Sequence, residues 1–335
     1  MLRFIGKRLL MMIPIMLGII LVVQIFITIT PGDPVRLMSG DLLSEEEMEE
    51  LRVQLGLRDP FFVRYVNYIK NILRGDFGTS YRTHRPVLTE IMSRFPYSLL
   101  LVSVSLALAL AIGIPIGIYA ATHQYSWKDN LSIIAALFCV SMPSFWFALM
   151  LIQLFAVKLR IFPPSGVDRW IGWVLPSVTL ALEYCATIAR QTRSNMLEVI
   201  RQDYITTARA KGLAERKVRY RHALKNAIIP VIMIVGQIFG RALGGSMIFE
   251  VIFSIPGLGA YTISALQNRD YPVIMSSVLI LSTLFAVVLL IVDVIFALVD
   301  PRIRSQYIGK NKRKKPPVTQ QPLKPLESVE GGNAS

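Results

Sequence analysis

The chain has 335 residues, 53% of them hydrophobic and only 17% charged, and its mean hydropathy is +0.51. Soluble domains carry about 25% charged residues, so a water-soluble globular fold is excluded. The net charge of +14 is then a matter of position relative to a membrane and not a nucleic-acid footprint. The two cysteines, Cys139 and Cys185, lie in apolar stretches with no C-x-x-C or Cys/His cluster nearby, and read as small core residues rather than metal ligands.

Arg3, Lys7 and Arg8 precede the first apolar run, Leu9 to Thr30. A signal peptide also begins this way, but the run is too long for an h-region and lacks a small-x-small cleavage site, so it reads as a retained helix. In the polar segment that follows, Ser44 and Glu47 form a capping box ahead of Met48, Leu51 and Leu55, a helical pattern that Gly56 ends. A second apolar face, Phe62, Tyr65, Val66, Ile69, Ile72 and Leu73, runs up to Gly75. Two short amphipathic helices outside the membrane are predicted, either packed on the ends of the spans or helping to dock a soluble partner.

Five more apolar runs follow: Tyr97 to Ala121, Leu131 to Val157, Trp173 to Ala189, Ala227 to Ile248 and Val273 to Val299. About 20 residues at 1.5 Å each match a hydrocarbon core of roughly 30 Å. Pro14, Pro115, Pro143, Pro176 and Pro230 fall inside these runs; membrane helices tolerate proline where neighbours satisfy the freed carbonyls, so the prolines are expected to move boundaries without changing the number of spans. The fold class read from the chain is an all-α polytopic membrane protein with six transmembrane helices and a small helical segment between the first two. Its divisions are residues 1–30 (first helix), 31–96 (outer helical segment), 97–299 (membrane core) and 300–335, a basic tail too polar to bury a core and predicted to be disordered.

The loop 190–225 holds ten lysines and arginines against Glu198, Asp203 and Glu215, which places it in the cytoplasm. The N-terminus, the Thr122 to Asn130 loop and the basic tail then share that side. From Met196 to Leu224 the loop is too apolar for a solvated linker and too charged to span. Met196, Val199, Ile200, Tyr204 and Thr207 recur at helical spacing, Gly212 interrupts, and Val218 and His222 sit four apart beyond it. Helix, glycine turn, helix is the predicted pattern, a knob that either lies on anionic headgroups or fits a socket on another protein.

This loop resembles the EAA coupling loop of type I ABC importer permeases. The general family positions fall on Thr206, Thr207, Ala208, Gly212, His222, Leu224 and Lys225, of which Ala208, Gly212 and Leu224 match. The fuller string Asp203-Tyr204-Ile205, Ala208-Arg209-Ala210-Lys211-Gly212-Leu213 and Arg221-His222-Ala223-Leu224 is similar to the dipeptide, oligopeptide and nickel branch. So are Pro31-Gly32-Asp33-Pro34, Gly75-Asp76-Phe77-Gly78-Thr79-Ser80, Ser141-Met142-Pro143, Pro256-Gly257-Leu258-Gly259, Arg269-Asp270-Tyr271-Pro272-Val273 and Asp300-Pro301-Arg302. The resemblance covers residues 1 to about 304 and is to the first of the two permeases.

The resemblance implies a subunit of an ATP-driven, binding-protein-dependent importer in a bacterial or archaeal cytoplasmic membrane, with both termini cytoplasmic. Its implied partners are a second homologous permease, two ATP-binding subunits and an extracellular solute-binding protein or lipoprotein, with no nucleic acid. Asp203, Tyr204, Ala208, Arg209, Lys211, Gly212, Leu213, His222 and Leu224 would couple to the ATPases. The chain has no G-x-x-x-x-G-K-[ST] phosphate loop, so it carries no cofactor and no catalytic site, and ATP and magnesium belong to the partner subunits. Short peptides are the solute the branch implies, with nickel, glutathione and oligosaccharides as alternatives. Two other classes fit less well: a secondary transporter would show an internal repeat, and a membrane enzyme would need a nucleophile or a histidine cluster at depth, whereas His84, His123 and His222 lie outside the apolar runs.

An acid at mid-membrane costs roughly 2.5 kcal/mol or more on insertion scales, so Glu183 is expected to face either the translocation path or a partner such as Gln237, Arg241 or a group on another subunit. Asp293 reads as structural. Glu183, Gln237 and Arg241 are the candidate pathway-lining residues, and for Arg241 and Glu250 a gate, pore lining and plain packing are all open.

Overall fold

The computed structural model describes residues 2–39 and 43–299. In chain order the helices are α1 (Leu2–Ile29), α2 (Pro34–Ser39), α3 (Glu45–Gln54), α4 (Phe61–Leu73), α5 (Val87–Thr122), α6 (Trp127–Ser141), α7 (Ser144–Leu151), α8 (Val174–Ile200), α9 (Asp203–Ala210), α10 (Glu215–Lys217), α11 (Leu224–Gly245), α12 (Met247–Ile252), α13 (Leu258–Asn268) and α14 (Tyr271–Val299). Ile152–Lys158 and Val218–Ala223 are π-helical and Trp170–Trp173 is a 3-10 turn. The tail and the Asp300-Pro301-Arg302 string lie outside the described residues, as does the side chain of Cys139.

Both predicted amphipathic helices form. Ser44 and Glu47 make the capping box of α3, and Gly56 and Gly75 end α3 and α4 at φ +67° and +81°. In each case the glycine N–H and the next N–H return to carbonyls in the last turn, the glycine-terminated cap that satisfies a helix C-terminus.

Among the described residues, five helices are long and apolar enough to cross a membrane: Ile5–Ile29, Val87–Thr122, Trp170–Ile200, Glu215–Gly245 and Tyr271–Ile295. The expected third span, Leu131 to Val157, is not one helix. Met142, the residue before Pro143, is extended at φ −84°, ψ 136°, and the chain restarts as α7. A proline clashes with a helical residue ahead of it, and here the helix ends at Ser141 and resumes at Ser144. The third apolar run is thus two shorter apolar helices and not one continuous helix, while the other five runs are continuous. Pro115 and Pro230 stay inside helices, and Pro176 sits in the first turn of α8, where a missing N–H is harmless. Helix α5 also starts ten residues before its apolar run, at Val87, and at 36 residues it is about 54 Å long, so it projects beyond the hydrocarbon core.

Helices α5 and α8 form the centre of the bundle. Lipid tails are as apolar as leucine, so close packing, not hydrophobicity, holds membrane helices together. Gly113 and Gly117 provide it: a Cβ there would sit 2.9 Å from the Cys185 carbonyl and 2.6 Å from the Ala189 carbonyl, so the two backbones touch. Cys185 is buried in this contact, as its apolar setting predicts. Helix α14 packs between α11 and α1. Asp293 near its end meets Arg8 of α1 at 2.9 Å, a structural pair.

At the end of the bundle where α14 begins, three of the short strings meet. The Asp270 carboxylate accepts the Ser80 hydroxyl at 2.5 Å and the Tyr81 N–H at 3.1 Å. Asp33 accepts the Arg52 Nε–H at 2.8 Å, and the Arg269 guanidinium occupies the space a Cβ on Gly32 would need. These strings are therefore joints that pin the 31–86 segment to the start of α14.

Candidate functional site

At the opposite end, the ends of α5, α8 and α11 carry the predicted knob. The helical spacing from Met196 to Thr207 suggested one helix, but α8 stops at Ile200, Gln202 is extended, and the chain restarts as α9 at Asp203. Helix α9 is only eight residues long and is held by burial: Ile205 and Ala208 are buried with Met196, Val218, Ala223, Ile118 and Ala121 in a second apolar cluster. Gly212, at φ +74°, ends the helix. Its N–H donates to the Arg209 carbonyl at 2.9 Å and the Leu213 N–H to that of Ala208 at 3.4 Å, while Leu213 packs on the same cluster. The Ala208-x-x-x-Gly212-Leu213 string is thus a helix C-cap with its accompanying apolar contact.

Of the predicted coupling residues, Asp203, Tyr204, Arg209, Lys211 and Gly212 are exposed, Leu213, His222 and Leu224 are half-buried, and Ala208 is buried. The exposed set is what a partner could touch; the remainder seat the helix. Two contacts were invisible to pattern reading because they join residues on different helices. The Asn226 amide donates to the Tyr204 hydroxyl at 2.8 Å, and Arg209 forks onto Glu215 across the glycine turn at 2.9 and 3.2 Å. The Arg209 guanidinium holds the Glu215 carboxyl below the usual glutamate range. The clasp is therefore intact at neutral pH and is lost only as acid protonates Glu215 below that range.

A third missed contact fixes the neighbouring Thr122 to Asn130 segment. Asp129, 1% exposed, accepts from Arg193 Nε at 2.7 Å and Nη2 at 2.8 Å, and from the Tyr125 N–H at 3.0 Å. Losing Asp129 leaves the part-exposed Arg193 fork and the Tyr125 N–H without their acceptor, at about 1–3 kcal/mol. Asp129→Ala is expected to lower the yield of folded, inserted chain and its melting temperature, and Arg193→Lys, which cannot fork, to do so by less. Equal stability of Asp129→Ala and the parent chain would refute this.

Glu183 lies exposed on α8 and shares a recess of about 340 Å³ with Arg241 of α11, Ser144 of α7, Thr187 and Tyr184. Arg241 and Ser144 reach the same recess from two other helices, so a cation and a hydroxyl share it with the carboxylate. Gln237, one turn from Arg241 on the same exposed face, is outside the recess. The structure thus brings together two of the three expected pathway residues.

Glu250 is different. It is 0% exposed, accepts the Ser246 hydroxyl at 2.9 Å and the Ala260 N–H at 2.9 Å, and so holds the first turn of α13. The Leu258 N–H donates to Ser98 Oγ at 2.8 Å. A Cβ on Gly257 would lie 2.3 Å from the Glu250 carboxyl and 2.7 Å from Ser98 Oγ. Glu250 is thus packed as a brace between α12 and α13.

The fold of this helical bundle, with its glycine-capped helix fastened on one end and its open charged recess, is that of an ABC importer permease: the inward-facing MetNI methionine ABC transporter superposes with a TM-score of 0.53 at 18% identity, over 64% of this chain and 97% of that one. The chain belongs to the family described as binding-protein-dependent transport system inner membrane component, whose model matches residues 113–305, with the companion N-terminal model matching residues 1–102. Glutathione transport system permease protein GsiC of Salmonella typhimurium strain LT2 is 42% identical over 304 residues, 91% of this chain and 99% of that protein. GsiC of Escherichia coli K12 is 41% identical over the same length. This protein is a multi-pass inner-membrane permease of a binding-protein-dependent importer, working with other ABC components.

Proposed function

We propose that the chain forms one half of a pathway for short peptides, glutathione among them, paired with a second related permease above two ATP-binding subunits. An extracellular solute-binding protein or lipoprotein delivers the solute to the end that carries the 31–96 segment, and residues 97–299 form the transport core. The lysines and arginines of the 190–225 loop support a cytoplasmic location for that loop and both termini. With no phosphate loop in its sequence, the chain hydrolyses nothing itself; ATP and magnesium sit on the partners. Their closure pushes α9 as a rigid body, and Ile205 and Ala208 pass the push to α5, α8 and α11.

The observation that carries the solute assignment is the recess. A carboxylate and a guanidinium on facing helices complement the ammonium and carboxylate ends of a zwitterionic peptide, and the family relatives named above are glutathione permeases. In proteoliposomes holding the complete importer, Glu183→Gln is expected to reduce uptake of labelled dipeptide or glutathione severalfold while assembled complex is retained. Unchanged uptake would leave Glu183 and Arg241 as a structural pair, and uptake of nickel with no uptake of peptides would overturn the solute class. Turnover of ATP by the isolated homogeneous chain would refute the division of labour.

A further inference from the structure

Helix α4 carries an apolar face that the rest of the chain leaves open. At 100° per residue Phe62, Val66, Ile69 and Leu73 fall in one stripe, and Phe62, Val66 and Leu73 are 74%, 44% and 82% exposed. On the opposite side Arg64, Asn67 and Asn71 line a cavity of about 330 Å³ shared with the end of α1 and the start of α14.

The helix does not stand above the membrane body. The Gln24 amide donates to the Phe61 carbonyl at 3.0 Å, and the Tyr65 hydroxyl reaches the Leu17 carbonyl at 3.0 Å. Leu17 lies twelve residues before the end of α1 at Ile29, about 18 Å along the helix axis. Helix α4 therefore lies alongside the apolar length of α1, whose Leu10, Ile13, Leu17, Phe26 and Ile29 are themselves exposed. Because α14 separates α1 from α11, this surface is on a different side of the bundle from the Glu183 recess.

We propose that α4 is an interfacial helix whose Phe62, Val66 and Leu73 face contacts phospholipid acyl chains, in the leaflet on the side of the 31–86 segment. The exposed Lys70, on the rim of the stripe, extends its stem along that face and its ammonium to the phosphates. The stripe adjoins the exposed apolar side chains of α1, a helix long and apolar enough to cross the membrane, and this selects lipid over a soluble partner. The expectation of two helices outside the membrane then holds for α3 and not for α4, and the polar cavity behind α4 opens at the membrane–water boundary.

The test is collision accessibility of nitroxide labels in the complete importer, held in nanodiscs of phosphatidylethanolamine and phosphatidylglycerol. Labels are placed one at a time by Phe62→Cys, Val66→Cys, Leu73→Cys, Asn67→Cys and Asn71→Cys in a Cys139→Ala, Cys185→Ala background. Labels at positions 62, 66 and 73 are expected to collide severalfold more with oxygen than with a water-soluble nickel chelate, and those at 67 and 71 to show the reverse. Preference for the chelate at 62, 66 and 73 would place the face in water, and low collision with both would show a protein covering it; either overturns the proposal. Should labelled variants fail to assemble, the conservative Phe62→Trp gives a second reading: brominated lipids should quench the added fluorescence, and an absence of quenching refutes lipid contact.

Discussion

Gly212→Pro is expected to abolish ATP-driven uptake while the permease still inserts and assembles with its partner permease. Proline fixes φ near about −65°, whereas Gly212 sits at +74°. The left-handed conformation costs other residues ~1–2 kcal/mol. Proline also deletes the N–H that donates to the Arg209 carbonyl at 2.9 Å, worth about 1 kcal/mol. A loss of about 2–3 kcal/mol in presenting α9 weakens docking roughly 30- to 100-fold. The bundle does not depend on that turn, because its main core lies in the packing of α5, α8, α11 and α14. Asp203→Lys, at an exposed position, is expected to give the same phenotype without backbone strain. Copurification of the ATP-binding subunits and transport in proteoliposomes check both variants. Transport at the parental rate, or failure of both variants to accumulate, would remove the coupling role from this loop.

Glu250→Ala is expected to reduce the amount of folded permease sharply and lower its melting temperature in detergent. The substitution leaves the Ala260 N–H without an acceptor, at about 1–3 kcal/mol, leaves the Ser246 hydroxyl only the long bond to the Leu243 carbonyl at 3.4 Å, and opens a cavity where the side chain was fully buried. Glu250→Gln keeps an acceptor oxygen and should retain most of the stability. Gly257→Val should resemble the alanine variant, since its Cβ would press on the same carboxyl group. If Glu250→Gln instead assembled normally but transported nothing, the residue would be a gate and not a brace.

Much of the local structure was legible from residue order alone. The capping box at Ser44 and Glu47 and the glycine stops at Gly56, Gly75 and Gly212 all act within one turn of helix. The short strings that pointed to the permease family turned out to be mostly joints: Asp270 on Ser80, Arg269 against Gly32, and Gly257 under Glu250. Their spacing carried a family signature, but their physical purpose became visible only once partners as far apart in sequence as Ser80 and Asp270, or Gly32 and Arg269, were seen to touch.

By itself the sequence determined the membrane class, the helical knob around Gly212 and the absence of a phosphate loop, because each depends on composition or on residues a few positions apart. The tertiary structure decided that Pro143 breaks its span while Pro115 and Pro230 do not, since a proline's effect in lipid depends on which neighbours absorb the freed carbonyls. It also decided that Glu250 braces α13 while Glu183 shares an open recess with Arg241. Both are acids among apolar residues, and they differ because Glu250 is fully enclosed with two donors of its own chain while Glu183 stays exposed in the recess. Packing determines that, and no period in the sequence encodes it.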